Sequence, residues 1–180
     1  LSDTERAASI LSGMDNLLMT IQLEIHNASL YVQASRVPEA EAMLIRAIQK
    51  SEAIGDKETI GMAHAEFAHV YLCKEELEKA ESACHQAQTL LPVPHLYQAK
   101  VNRTLAGIAE ARGQMEEATR RYQLASEGFK QLDEALEYDQ TMHALSQVYR
   151  IQGDFERVAD VLEKMRAVTH ETLSKRGIAL

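Results

Sequence analysis

Seven histidines and two cysteines are the side chains best suited to hold a metal or act as nucleophiles, and His64, His69, Cys73 and Cys84 lie close together in the sequence. Their spacing does not suit a helix-borne metal site. Histidines four apart share a helix face, whereas His64 and His69 are five apart and diverge. Cys73 and Cys84 make no CxxC pair, which argues against both a disulfide framework and a structural zinc site. Cys84 falls in a column of core residues, where a thiol acts as a small hydrophobe. Nothing near Cys73 marks it as a reactive thiolate. The sequence contains no HExxH, no GxSxG elbow and no phosphate-cradling glycine loop; its eight glycines mostly end helices. Acidic pairs such as Glu116 with Glu117 and Glu134 with Glu137 read as solvated helix faces. No catalytic residue, metal or cofactor is expected, and the chain is read as a non-enzyme.

Recognition is the remaining chemistry, and composition narrows it. Acidic residues outnumber basic ones 27 to 19, a net charge of −8, so a nucleic-acid backbone is repelled by the chain as a whole. No apolar stretch approaches the roughly 20 residues needed to cross a bilayer, and the amino terminus lacks a basic-then-apolar leader. A reducing cytoplasm is the expected location. The first residue is Leu, which suggests a piece of a longer protein. With 180 residues, 46% hydrophobic but rich in Ala, Leu and Met, no Trp and three Pro, the chain is expected to be a single all-α domain.

An internal repeat organises those helices. Tyr31 and Tyr71 are 40 apart, Ala109 follows after 38 and Tyr149 after a further 40. Three residues before each stand Ala28, Ala68, Ala106 and Ser146, small enough for helix axes to cross at about 8–10 Å. Nine residues after each stand Ala40, Ala80, Ala118 and Val158, followed by the columns Leu44, Cys84, Tyr122, Leu162 and Ala47, Ala87, Ala125, Met165. First helices are expected over 17–34, 57–73, 94–112 and 135–152, and second helices over 38–53, 76–91, 115–131 and 154–175. Breaks are expected from Ser35 to Pro38, at Gly55-Asp56, from Pro92 to Pro94, at Gly113 and at Gly153-Asp154. The hairpins thus span 17–53, 57–91, 94–131 and 135–175. Residues 1–16 are expected to hold either a partial repeat or a native capping helix, with a short helix over 3–12 capped by Ser2 and Glu5 and closed by Gly13; Ala7 is in register, 40 before Ala47. The long last helix, with Phe155, Val158, Leu162, Met165 and Leu173 on one stripe and Lys175 and Arg176 before Gly177, is expected to cover an open end. An outer face through Val161 and Val168 could pair two chains as a homodimer.

These columns resemble the tetratricopeptide repeat (TPR), a small residue, two spacers and Tyr, then Ala, three spacers and a bulky residue. Phe67, Ala68, Tyr71, Ala80, Ala87 and Pro92 match it most closely. The family's Trp position holds Glu24, His64, Asn102 and Met142. A period near 40 in place of about 34 resembles the long repeats of bacterial Rap and related quorum-sensing receptors, and of the TPR-like domain of the maltose-operon activator. The resemblance implies a right-handed superhelix of four hairpins that binds a protein or peptide in its concave groove.

Carried onto this sequence, the groove face comprises Gln22, Ile25, Ser29 and Gln33, then Met62, Ala65, His69 and Cys73, then Lys100, Arg103, Gly107 and Glu110, and finally Gln140, His143, Gln147 and Arg150. Lys100, Arg103, His143 and Arg150 are the expected polar contacts, with Gln147, His69 and Gln33, and an acidic protein or peptide is the expected partner. A chaperone-type carboxylate clamp is not implied, because Ile25, Ser29 and Glu66 stand where it needs Lys and Asn and Lys100 alone fits. Asn27 and Asn102 are the residues on first helices that could hold a peptide backbone as in the peptide receptors. The resulting expectation is a non-catalytic scaffold or adaptor. One alternative is the sensor or oligomerisation half of a bacterial transcriptional or signalling regulator. Another is part of a Rap-like response-regulator phosphatase, whose activity in that family needs an amino-terminal bundle longer than residues 1–16.

Overall fold

The computed structural model describes the backbone of residues 3–175 and the side chains of residues 13–171 and Ser174. Among these residues there are eight α-helices and no strand: α1 (Asp3–Gln33), α2 (Val37–Ile54), α3 (Lys57–Cys73), α4 (Leu77–Leu90), α5 (Leu96–Ala111), α6 (Met115–Gln131), α7 (Ala135–Gln152) and α8 (Phe155–Lys175). The chain is therefore all-α, built from helical hairpins. It divides into two compact bodies, Leu1–Leu91 and Pro92–Leu180. In the first, α1 packs on α2 and on α3, α2 on α3, and α3 on α4; in the second, α5 packs on α6, α6 on α7 and α7 on α8.

Six of the seven connections are one repeated turn. Each holds a residue with φ near +60° to +75°: Ser35, Gly55, Glu75, Gly113, Asp133 and Gly153. Its N–H donates to the carbonyl three residues back, and the next N–H donates to the carbonyl five back, as in Gly153 N to Arg150 O at 3.1 Å and Asp154 N to Tyr149 O at 2.9 Å. This is the Schellman closure, which satisfies carbonyls that a helix end leaves open. The residue after the left-handed one already caps the next helix, so the chain reverses within two residues. Asp56 accepts from Thr59 N at 3.0 Å, and Asp154 from Arg157 N at 3.1 Å. Tyr31, Tyr71, Ala109 and Tyr149 supply the carbonyl that receives the longer bond, so this column also marks where each first helix ends.

The columns pack as their sizes require. Ala28, Ala68, Ala106, Ala40, Ala80, Ala118, Ala47, Ala87 and Ala125 are all fully buried. A Cβ built on Gly128 would lie 3.0 Å from the Cβ of Ala99, so α5 and α6 cross there with no spare room. Tyr122, Phe129, Tyr138, Met142, Leu145, Val148, Tyr149 and Val161 fill the core of the second body.

Two expectations at the ends of the chain are corrected. No short helix closes at Gly13: α1 runs unbroken from Asp3 to Gln33. Gly13 has an ordinary helical φ and exposed surroundings, so it lowers propensity by about 1 kcal/mol without supplying a left-handed stop. On α8 the expected inward stripe is only partly kept. Val161 is buried, and Val158, Met165 and Val168 pack with it against the core, whereas Phe155 and Leu162 are exposed. Leu44, Cys84 and Tyr122, the counterparts of Leu162, are buried, whereas α8 packs chiefly on α7 and leaves Leu162 exposed. The homodimer face assigned through Val161 and Val168 is thus an inward one. Ser2, Arg176 and Gly177, with the side chains of Glu5, Ala7, Leu173 and Lys175, lie outside the described residues.

Candidate functional site

In the second body, α5 and α7 bring two of the expected basic residues to a common point. Arg103 donates to Glu137 Oε2 and, at 3.4 Å, to Gln140 Oε1, while Lys100 Nζ lies 4.0 Å from Glu137 Oε1. Both cations rest on aromatic rings, Lys100 4.8 Å from the Tyr97 centroid and Arg103 5.2 Å from that of Phe129. Ring faces are electronegative, so stacking holds the charged heads with little loss of freedom. Gln140, His143 and Arg150 continue along α7 as exposed residues, with Gln147 partly exposed among them. Gly107 is also partly exposed. Glu110 accepts from the Tyr122 hydroxyl at 3.0 Å. Burial, reinforced by that carboxylate, pushes the Tyr122 phenol well above its usual range.

Glu137 is the residue sequence reasoning missed. Its proximity to Glu134 suggested a solvated acidic face, and only the side-chain contacts from α7 to α5 show that it takes the two cations. Asn102 is committed elsewhere: its amide donates to Gln98 O, and its Oδ1 accepts from Arg121 of α6, both at 3.1 Å.

The corresponding face of the first body is largely closed. Ile25, Ser29, Met62 and Ala65 are buried because α1 lies directly against α3. This corrects their assignment to a ligand face. Gln33 and Cys73 are exposed and His69 is half-buried. Although Cys73 is open to solvent, desolvation by the atoms around its thiol pushes it up, away from reactivity. No group of three or more His, Cys, Asp or Glu placed to hold a metal occurs among the described residues. No helix among them is long and apolar enough to cross a membrane.

The comparisons with known proteins bear on the fold. The tetratricopeptide repeat family matches residues 97–168, from α5 into α8. By structure the chain is similar to BtubC (BKLC) from P. vanneervenii, with a TM-score of 0.64 and 18% identity over 84% of this chain and 64% of that one, just under two thirds of its length. It is also similar to the nearly identical TPR-like repeats of a putative kinesin light chain from Podosopora anserina, with a TM-score of 0.62 and 20% identity over 86% of this chain and 76% of that one. At such identities the likeness shows the fold. No curated protein matches the chain. The family match covers less than half of the chain, and the structural likeness is one of fold, an array of helical hairpins.

Proposed function

We propose that the chain is a non-catalytic scaffold or adaptor that binds an acidic segment of another protein on the first-helix face of its second body. The observation that carries this reading is the convergence of Lys100 and Arg103, each stacked on a ring, beside the exposed amide of Gln140. In a chain of net charge −8, such a point concentrates field on a carboxylate approaching along α7 past Arg150, His143 and Gln147. Arg103 already holds a carboxylate in Glu137, so an incoming one exchanges places with a group of its own kind. His69 and Gln33 lie in the first body, outside this face. The test is the affinity of a labelled acidic dodecapeptide for the full chain and for Lys100→Gln/Arg103→Gln. The double variant is expected to bind at least tenfold more weakly, and wild-type binding to fall as salt is raised; unchanged affinity removes this site from contention.

A second reading draws on the repeat period of 38 to 40 residues. Long hairpins of this kind suit the sensor or oligomerisation part of a signalling regulator. A reading frame that places a helix-turn-helix beside this chain would favour it.

A further inference from the structure

We propose that the groove between α2 and α4, floored by α3, is a docking site for an extended, uncharged peptide segment that anchors one apolar side chain. This site is separate from the first-helix face and does not depend on it. Its cavity of about 450 Å³ falls in the size range of ligand pockets, roughly 300–1,000 Å³. The floor is apolar: Phe67 stacks on Tyr71 with ring centroids 5.6 Å apart, Ile48 and Ala83 flank them, and Ile45 stands 46% exposed at the edge.

The walls decide the occupant. Gln49 on α2 faces the groove from one side, and Ser82 and Gln86 on α4 from the other. Each glutamine offers both a donor and an acceptor, the pairing a peptide unit presents in return. An extended segment brings unpaired N–H and C=O groups that such walls satisfy, whereas a helix has already used its own. Charge is excluded on similar grounds. No carboxylate lines the groove, and its one permanent cation, Lys79, is held 2.6 Å from Glu76 while lying over the Tyr71 ring. Burial also lowers the pKa of His64, which favours its neutral form.

The repeat supplies an independent argument that this groove is built and not incidental. Every residue lining it has a counterpart 78 positions later, as Tyr71 has Tyr149, and all of those counterparts line a second groove, of about 790 Å³, between α6 and α8 over α7. The shape is repeated but the chemistry is not. Gln123, Glu127 and Asp160 replace Ile45, Gln49 and Ser82, and Lys164 replaces Gln86, so only the first groove keeps an apolar floor between neutral amides.

That difference provides a test with side chains the fold already accepts. Random dodecapeptides displayed on phage are selected on the full chain at high salt, and the tightest is synthesised and labelled. Its affinity is measured for wild type, for Ile45→Gln/Gln49→Glu/Ser82→Asp and for Lys100→Gln/Arg103→Gln, with melting temperature as the folding control. The expected result is a neutral peptide with an apolar anchor that loses at least tenfold on the first variant and nothing on the second. Failure to select any peptide, or equal binding to the first variant and wild type, overturns the proposal. Loss confined to the second variant also overturns it, while leaving the acidic-partner site standing.

Discussion

Ser35, Glu75 and Asp133 occupy a left-handed conformation at positions where Gly113 and Gly153, or Gly55, serve in sister turns. A side chain there meets the following carbonyl at a cost of about 1–2 kcal/mol, which glycine avoids at the price of greater freedom when unfolded. Glu75→Gly and Asp133→Gly are therefore each expected to stabilise the chain by about 0.5–1 kcal/mol, read as a higher melting temperature; Gly153→Ala is expected to lower it. The sequence marked the turns that carry glycine or proline, but Glu75 and Asp133 gave no signal, because their backbone conformation is imposed by the helices they join. Side-chain charge is legible only in part for the same reason. Hydrogen bonds from Arg120 and then Arg121 hold the Glu117 carboxyl down at about 2, against an ordinary 4.5. A carboxyl depressed on folding contributes stability that is complete above its unfolded value and fades as pH falls through the folded one. Melting curves between pH 4.5 and 2 should thus fall less steeply for Glu117→Gln than for wild type, by a modest amount since this pairing is largely exposed.

Each hairpin is a unit in which spacing, turn and packing coincide. The tyrosine column is followed after four residues by the left-handed one, after five by the cap, and after nine by a small residue that lets the second helix close on the first. Ala106 tests that logic because it is fully buried at such a crossing. Ala106→Leu adds carbon where no room exists and should cost about 1–3 kcal/mol, whereas Leu124→Ala on the exposed side of α6 should stay within about 0.5 kcal/mol of wild type. Denaturant midpoints compare the two directly. The helices were legible because their periodic columns are long and consistent; α2 to α8 lie within two residues of the expected bounds. The run of α1 through Gly13 was not, since a glycine ends a helix only where the backbone turns left-handed. On α8, Val158 and Met165 of the expected stripe face the core but Phe155 and Leu162 do not, because adjacent apolar residues such as Val161 and Leu162 point to different sides and burial depends on which neighbour arrives.

At the scale of the molecule, the chain places its distinctive charge and its distinctive apolar groove in different bodies. Lys100 and Arg103 could be picked out from sequence because basic residues on a predicted helix face stand out in an acidic chain. Glu137 could not, since its role depends on a side-chain contact from α7 to α5, between residues 34 apart. On the proposed reading the carboxylate of Glu137 would compete with a partner's for Arg103, so weakening it should strengthen binding. The decisive measurement is the affinity of the labelled acidic dodecapeptide for Glu137→Gln beside wild type at equal ionic strength, with melting temperature confirming the fold. Tighter binding by the variant, severalfold or more, is the predicted result; equal or weaker binding would contradict the assignment of this face to an acidic partner.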